Sequence, residues 1–236
     1  MLRIIMKMLQ QIGDNIWIHD GATVSWYTMP YTTRMTVIRL NSGEIWIHSP
    51  AKISDELISD VNALGKVSYL VSPNKIHHLF MQEWMQQYPE AKSYAPPGLE
   101  EKRPDLHFDR ALKDAPEPEW QEQIEQLIFK GSKVMEEVIF FHRESKTLIV
   151  TDLIENFHPD HFKGIKKLLA QMTGIISPNG KMPIDWRMTF IGRKEAARDC
   201  LQTMINWQPD KIILAHGEWI QKNAVSFLKK SFHWLQ

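Results

Sequence analysis

The chain has 236 residues, 43% of them hydrophobic, and its 28 Lys and Arg are balanced by 28 Asp and Glu. That length and apolar share can bury a sizeable core and exclude a disordered or collagen-like chain, so one domain over 1–236 is expected. Balanced charge leaves no electrostatic footprint for nucleic acid or an acidic membrane surface; the expected partner is a small-molecule substrate or ligand, and the oligomeric state is left open.

Met1 to Leu9 is apolar, but it carries Arg3 and Lys7 and lacks a small-residue cleavage site. It reads as an edge strand or short helix rather than a signal peptide. Alternation predicts a strand over 15–19, and 34–40 with 44–48 reads as a hairpin around Asn41-Ser42-Gly43. Residues 54–64 have helical spacing of Leu57, Ile58, Val61 and Leu64, with Gly65 where a helix C-terminus prefers it. A strand over 67–71, a helix from His77 or His78 to Tyr88 stopped by Pro89, and a short strand over 91–94 complete a β-α-β-α-β run. The Pro-rich stretch 99–120 predicts an irregular surface connection with at most short helices. Strands over 126–129, 137–142 and 147–151 follow, then helices over 161–172 and 193–207, a strand over 211–214 and a last helix over about 222–234. The single cysteine, Cys200, falls in the second of these helices as a buried, inert thiol and points to a reducing, cytoplasmic setting. No stretch approaches the ~20 apolar residues that span a bilayer, so a soluble protein is expected. Nine Trp and twelve Met could line an apolar pocket, although their periodicity favours core filling.

Chemistry is expected at strand ends. Tyr69-Leu-Val-Ser-Pro-Asn-Lys-Ile-His-His78 is an apolar strand leading through Pro73-Asn74-Lys75 to adjacent histidines. Leu148-Ile-Val-Thr-Asp152 ends an apolar strand in a carboxylate, and Ile212-Ile-Leu-Ala-His216-Gly217 ends another in an imidazole. This set resembles the metallo-β-lactamase superfamily, specifically an uncharacterised branch with a degenerate metal motif, and the resemblance runs from about Ile12 to Leu235. It implies an α/β (α+β) chain folded as a four-layer αββα sandwich. Laid over the family's Thr-His-x-His-x-Asp-His turn, Ser72 takes the Thr place, Pro73 and Lys75 replace two histidines, His77 replaces the Asp, and His78 is matched. His48 stands where the family has a strand-ending Asp, and Ser132 where it has a further His; Asp152 and His216 match.

The resemblance therefore implies loss of one metal of a two-metal site and a remaining ligand set of His77, His78, Asp152 and His216. Three imidazoles and a carboxylate suit one divalent ion, zinc or iron, and a single carboxylate cannot offset two. With a metal, a bound water would attack a carbonyl or phosphoryl centre, Asp152 and Lys75 serving the chemistry. Asn74, His48 and Asn156 are further site candidates, Asn156 to orient a ligand or end a turn. The same residues admit a metal-free reading, a ligand-binding or scaffold protein in which the histidines cap and pack and Asp152 accepts backbone N–H groups. A third reading is metal-independent acid–base catalysis by a pair such as His77 and Asp152. Arg34 is expected in a strand-face ion pair, His158 and His161 at a solvated helix start, and Glu136-Glu137 at a solvated strand edge.

Overall fold

A computed structural model of the protein describes residues 7–26 and 29–236, so most of the expected 1–9 element lies outside the described residues. The first half runs β1 (Gln10–Gly13), β2 (Ile16–Asp20), β3 (Val24–Trp26), β4 (Met29–Tyr31), β5 (Arg34–Arg39), β6 (Glu44–His48), α1 (Asp55–Asn62), β7 (Lys66–Val71), α2 (Met81–Gln87), β8 (Lys92–Ala95), α3 (Leu99–Lys102) and β9 (Arg110–Ala111). The second half runs β10 (Ile124–Phe129), β11 (Glu137–His142), β12 (Thr147–Ile149), α4 (Gly164–Thr173), α5 (Ile184–Met188), α6 (Lys194–Asn206), β13 (Lys211–Ile213) and α7 (Ala224–Ser231). Among the described residues the strands form a seven-stranded sheet ordered β1-β2-β5-β6-β7-β8-β9, a four-stranded sheet ordered β10-β11-β12-β13, and the separate β3-β4 hairpin.

Period-two alternation sorts each strand between two cores. On β6, Ile45 and Ile47 face outward with Leu57 and Val61 of α1 and Trp84 of α2, while Trp46 faces inward. On β11, Val138 and Phe140 meet that inner layer, and Ile139 and Phe141 pack outward with Met204 of α6 and Leu228 of α7. The inner faces thus close on each other through Trp46, Tyr94, Trp120 and Phe140, and helices cover both outer faces. This is the αββα sandwich expected from the sequence.

Local chemistry explains the joints. Ser54 is extended at the start of α1, and its side chain accepts the Leu57 N–H at 3.2 Å, an N-cap. The helix ends at Ala63 rather than at Gly65; Gly65 is required because a Cβ there would lie 2.3 Å from the Gly43 carbonyl oxygen. The stretch 99–120 is not wholly irregular, since β9 pairs in parallel with β8 at the sheet edge. β1, the β3-β4 hairpin and α5 lie outside the predicted elements, because each is too short for periodicity to register.

Parallel pairing sets the site. β6 pairs in parallel with β7, and β12 with β13. The carboxyl ends of these strands therefore bring Ser49, the 72–80 turn, Asp152 and His216 to one edge of the sandwich, where α/β sheets place ligands.

Candidate metal centre

Three side chains converge there. His216 Nε2 lies 2.7 Å from Asp152 Oδ1, His77 Nε2 lies 3.3 Å from the same oxygen, and the two Nε2 atoms are 3.2 Å apart. Asp152 and His216 are buried and His77 is half-buried.

Each of the three is held from behind. His216 Nδ1 lies 2.6 Å from the Thr32 carbonyl oxygen. A carbonyl can only accept, so Nδ1 carries the proton and Nε2 is left with its lone pair when the ring is neutral. His77 Nδ1 faces Ser49 Oγ at 2.8 Å. Asp152 Oδ2 accepts from Asn74 Nδ2 at 2.8 Å. Two acceptors 2.7 Å apart, His216 Nε2 and Asp152 Oδ1, repel unless a proton or a cation lies between them. The electrostatics carry the same message. Burial works against a charged His77, but the Asp152 carboxylate and the more distant Glu137 outweigh it and raise the pKa. Burial also works against a charged Asp152, and His77 and His216 outweigh it, holding the carboxyl well below the usual range.

Asn74 is fully buried and organises the floor. Its Oδ1 accepts the N–H groups of Ile76 and His77 at 2.8 and 3.0 Å, while Nδ2 reaches Asp152, Glu137 and Thr151. Glu137 in turn accepts the N–H groups of Thr151, Asp152 and Leu153 at 2.7, 2.8 and 3.2 Å. Rather than a solvated edge, Glu137 is fully buried beneath the site, and burial together with the Asp152 charge raises its pKa. Its place in the buried run Glu137-Val-Ile-Phe-Phe141 was the available signal: a carboxylate there must find donors.

The turn separates the paired histidines. His77 enters the cluster, whereas His78 does not: its Nδ1 lies 3.2 Å from Arg103 Nη1, and burial, Lys102 and Arg103 lower its pKa to about 4. Neither begins a helix, because 73–80 is a turn and α2 starts at Met81. His48 is buried between the sheets, stacked on Trp46 at 5.6 Å, and burial depresses its pKa to about 3. Asn156 faces away from the cluster and ties the following turn, donating to the Glu218 carbonyl at 2.8 Å and accepting the Gly180 N–H at 3.2 Å. Gly217, at φ +91°, lies so close that a Cβ would meet the Asn156 carbonyl oxygen at 2.2 Å.

The other candidates have ordinary partners. Ser132 accepts the N–H groups of Val134 and Met135 at 3.1 Å each and the Trp186 indole N–H at 3.2 Å. Arg34 pairs with Asp20 at 2.6 Å, His161 faces the Pro30 carbonyl at 2.8 Å, and His158 is exposed. Cys200 lies on α6 as expected but is half-buried rather than buried, with partial burial raising its pKa.

A cavity of about 570 Å³ opens over the cluster, lined also by Lys75, Lys102, Val134, Met135, Trp186 and Glu155. Glu155 is a site residue that the sequence did not reveal. Burial pushes its pKa up to about 8, with His216 opposing and Asp152 and Asp185 adding to the rise. Tyr31 donates to it at 3.5 Å.

A family model described as "Domain of unknown function (DUF4336)" matches residues 13–170. No curated protein matches the chain. Among solved structures, the chain is similar to DIM-1 metallo-β-lactamase exposed to ceftazidime (14% identity, 97% of each chain covered, TM-score 0.64). It is also similar to a metallo-β-lactamase from Pontibacter korlensis (13% identity, 97% of this chain and 98% of that one, TM-score 0.65). Rubredoxin oxygen:oxidoreductase from Desulfovibrio gigas matches at 12% identity over 96% of this chain and 61% of that one, with a TM-score of 0.66. The chain has the metallo-β-lactamase fold, and at these identities the likeness speaks for the fold alone. Among the described residues no helix is long and apolar enough to cross a membrane.

Proposed function

The chain belongs to the family described as Domain of unknown function (DUF4336), and from that premise we propose that it is a hydrolase of the metallo-β-lactamase fold with a single-metal centre at His77, Asp152 and His216, acting on a small molecule in the cytoplasm. The observation that carries this reading is the convergence of two imidazole Nε2 atoms and one carboxylate oxygen at 2.7 to 3.3 Å, with the opposite atom of each group already partnered.

The donor set fits zinc or iron. Three protein donors of imidazole and carboxylate type are the count that catalytic zinc sites use, and a fourth from His78 is not needed. Zinc or iron held there would lower the pKa of a bound water toward ~7 and polarise a carbonyl or phosphoryl oxygen. The chain's own groups do the positioning. Thr32 and Ser49 fix the rotation of the His216 and His77 rings through their Nδ1 atoms, and Asn74 fixes Asp152 through Oδ2. Glu155 is buried on the same cavity, where burial raises its pKa in the metal-free chain, and is the group we assign to give a proton to a leaving group.

Elemental analysis of the full chain, purified without chelator and without a His-tag, tests the reading. About one equivalent of zinc or iron is expected, lost in Asp152→Ala and His216→Ala. Absence of metal after incubation with excess Zn²⁺, Fe²⁺ or Mn²⁺ would overturn it. One observation favours a second reading: Ser49 Oγ, His77 and Asp152 form a continuous proton path, 2.8 Å at Nδ1 and 3.3 Å at Nε2. Metal-independent acid–base catalysis along that path predicts ester hydrolysis that survives chelation and is lost in His77→Gln.

A further inference from the structure

We propose that the cavity over the cluster takes an amphiphilic anion, a molecule with an alkyl or acyl chain and one phosphate or carboxylate group. Only its status as a substrate rests on the metal-centre reading; its binding does not.

Cationic and apolar wall segments are stitched side by side. Lys102 Nζ donates to the Lys75 carbonyl at 2.8 Å, and Lys75 Nζ donates to the Val134 carbonyl. The Trp186 indole N–H then reaches the neighbouring Met135 carbonyl at 3.3 Å. The wall thus runs from two ammonium groups to Val134, Met135 and Trp186 without a break. Both ammonium groups donate to backbone carbonyls, which leaves their charge uncompensated by these partners. Burial, with Lys75 and Arg103 nearby, lowers the Lys102 pKa, in keeping with crowded positive charge.

The apolar segment is open to solvent at its outer end. Val134 is 59% exposed and Leu79, on the cavity's lining beside the histidine turn, is 55% exposed. Exposed apolar side chains lining one cavity are what a ligand's chain covers favourably. Asp185 lines the same cavity. Its carboxylate repels an anion and so directs the head to the Lys75 and Lys102 end, with the chain along Val134 and Trp186. A purely polar anion would leave that wall wet, and a neutral amphiphile would leave the lysines unpaired.

Isothermal titration calorimetry on the full chain, with and without EDTA, tests this with butyl phosphate, octyl phosphate and the neutral octyl glucoside. A fully buried methylene is worth ~0.8 kcal/mol, about fourfold, so four partly buried ones are expected to make octyl phosphate bind at least about tenfold tighter than butyl phosphate. Octyl phosphate is also expected to bind about tenfold tighter than octyl glucoside, and this second ratio to collapse in the folded Lys75→Gln/Lys102→Gln variant. Val134→Ser, at an exposed position, is expected to weaken octyl but not butyl phosphate. Equal binding of the two phosphates, equal binding of the charged and neutral octyl compounds, or an unchanged ratio in the lysine variant would each overturn the proposal. Ratios that hold under EDTA while elemental analysis finds no metal would overturn the metal centre and leave the amphiphile site standing.

Discussion

Asn74→Ala is the substitution on which the organisation of this site turns. Asn74 donates to Asp152 Oδ2 and accepts from Ile76 and His77 N–H, all between 2.8 and 3.0 Å, in a fully buried position. Removing its amide deletes a hydrogen bond to a charged group, worth about 1.5 to 3 kcal/mol, and strips two backbone donors of their acceptor at about 1 kcal/mol each. Water entering the vacated space recovers part of this, so a net loss of about 2 to 4 kcal/mol is expected. In a chain of this size that lowers the melting temperature by about 6 to 12 °C. Because Asn74 orients both Asp152 and the His77 backbone, metal affinity should fall about 10- to 100-fold. Urea unfolding read by circular dichroism gives the first quantity, and competition of zinc against a chromogenic chelator gives the second. A variant within about 1 kcal/mol of the parent, with unchanged zinc affinity, would refute the argument that this amide holds the turn and the carboxylate together.

His78→Ala should retain the metal content of the parent while losing stability, since His78 is buried against Arg103 and outside the cluster; metal loss equal to that of His216→Ala would put His78 back among the ligands. Glu155 sets a pH dependence. Its pKa rises from the unfolded value of 4.5 to about 8, so between those values the native state holds a proton that the unfolded state has released, and stability falls as pH rises. Each pH unit in that window costs up to about 1.4 kcal/mol in the metal-free protein. Glu155→Gln should remove this decline and be the more stable form at pH 8, as urea unfolding at pH 5 and pH 8 would show; parallel pH curves for the two proteins would contradict it. Gly217→Ala should cost at least about 2 kcal/mol, because φ is +91° and the added Cβ would press on the Asn156 carbonyl 2.2 Å away. Thermal unfolding measures that loss, and an unchanged melting temperature would mean that the turn after β13 yields freely.

By itself the sequence determined the layers. Alternation in Glu44-Ile-Trp-Ile-His48 and in Val138 to Phe141 sorts side chains between inner and outer cores, and the 3.6-residue spacing of α1 and α6 supplies the outer helices. Asp152 and His216 were legible through the resemblance, since each closes an apolar strand where the family's landmarks put a ligand. Which of His77 and His78 turns inward was not legible. Adjacent side chains in a non-helical turn diverge, and the Asn74 bonds to the Ile76 and His77 N–H groups choose the direction. Asn74 stood among the site candidates without a role, Glu137 read as a solvated edge and Glu155 carried no signal, because the groups that give Asn74 its role, Glu137, Thr151 and Asp152, lie 63 to 78 residues away. Period and propensity are local and survive in one dimension. Burial of a carboxylate, the shared donor that satisfies it, and the cavity that gives it a task exist only once distant strand ends are brought to the same edge.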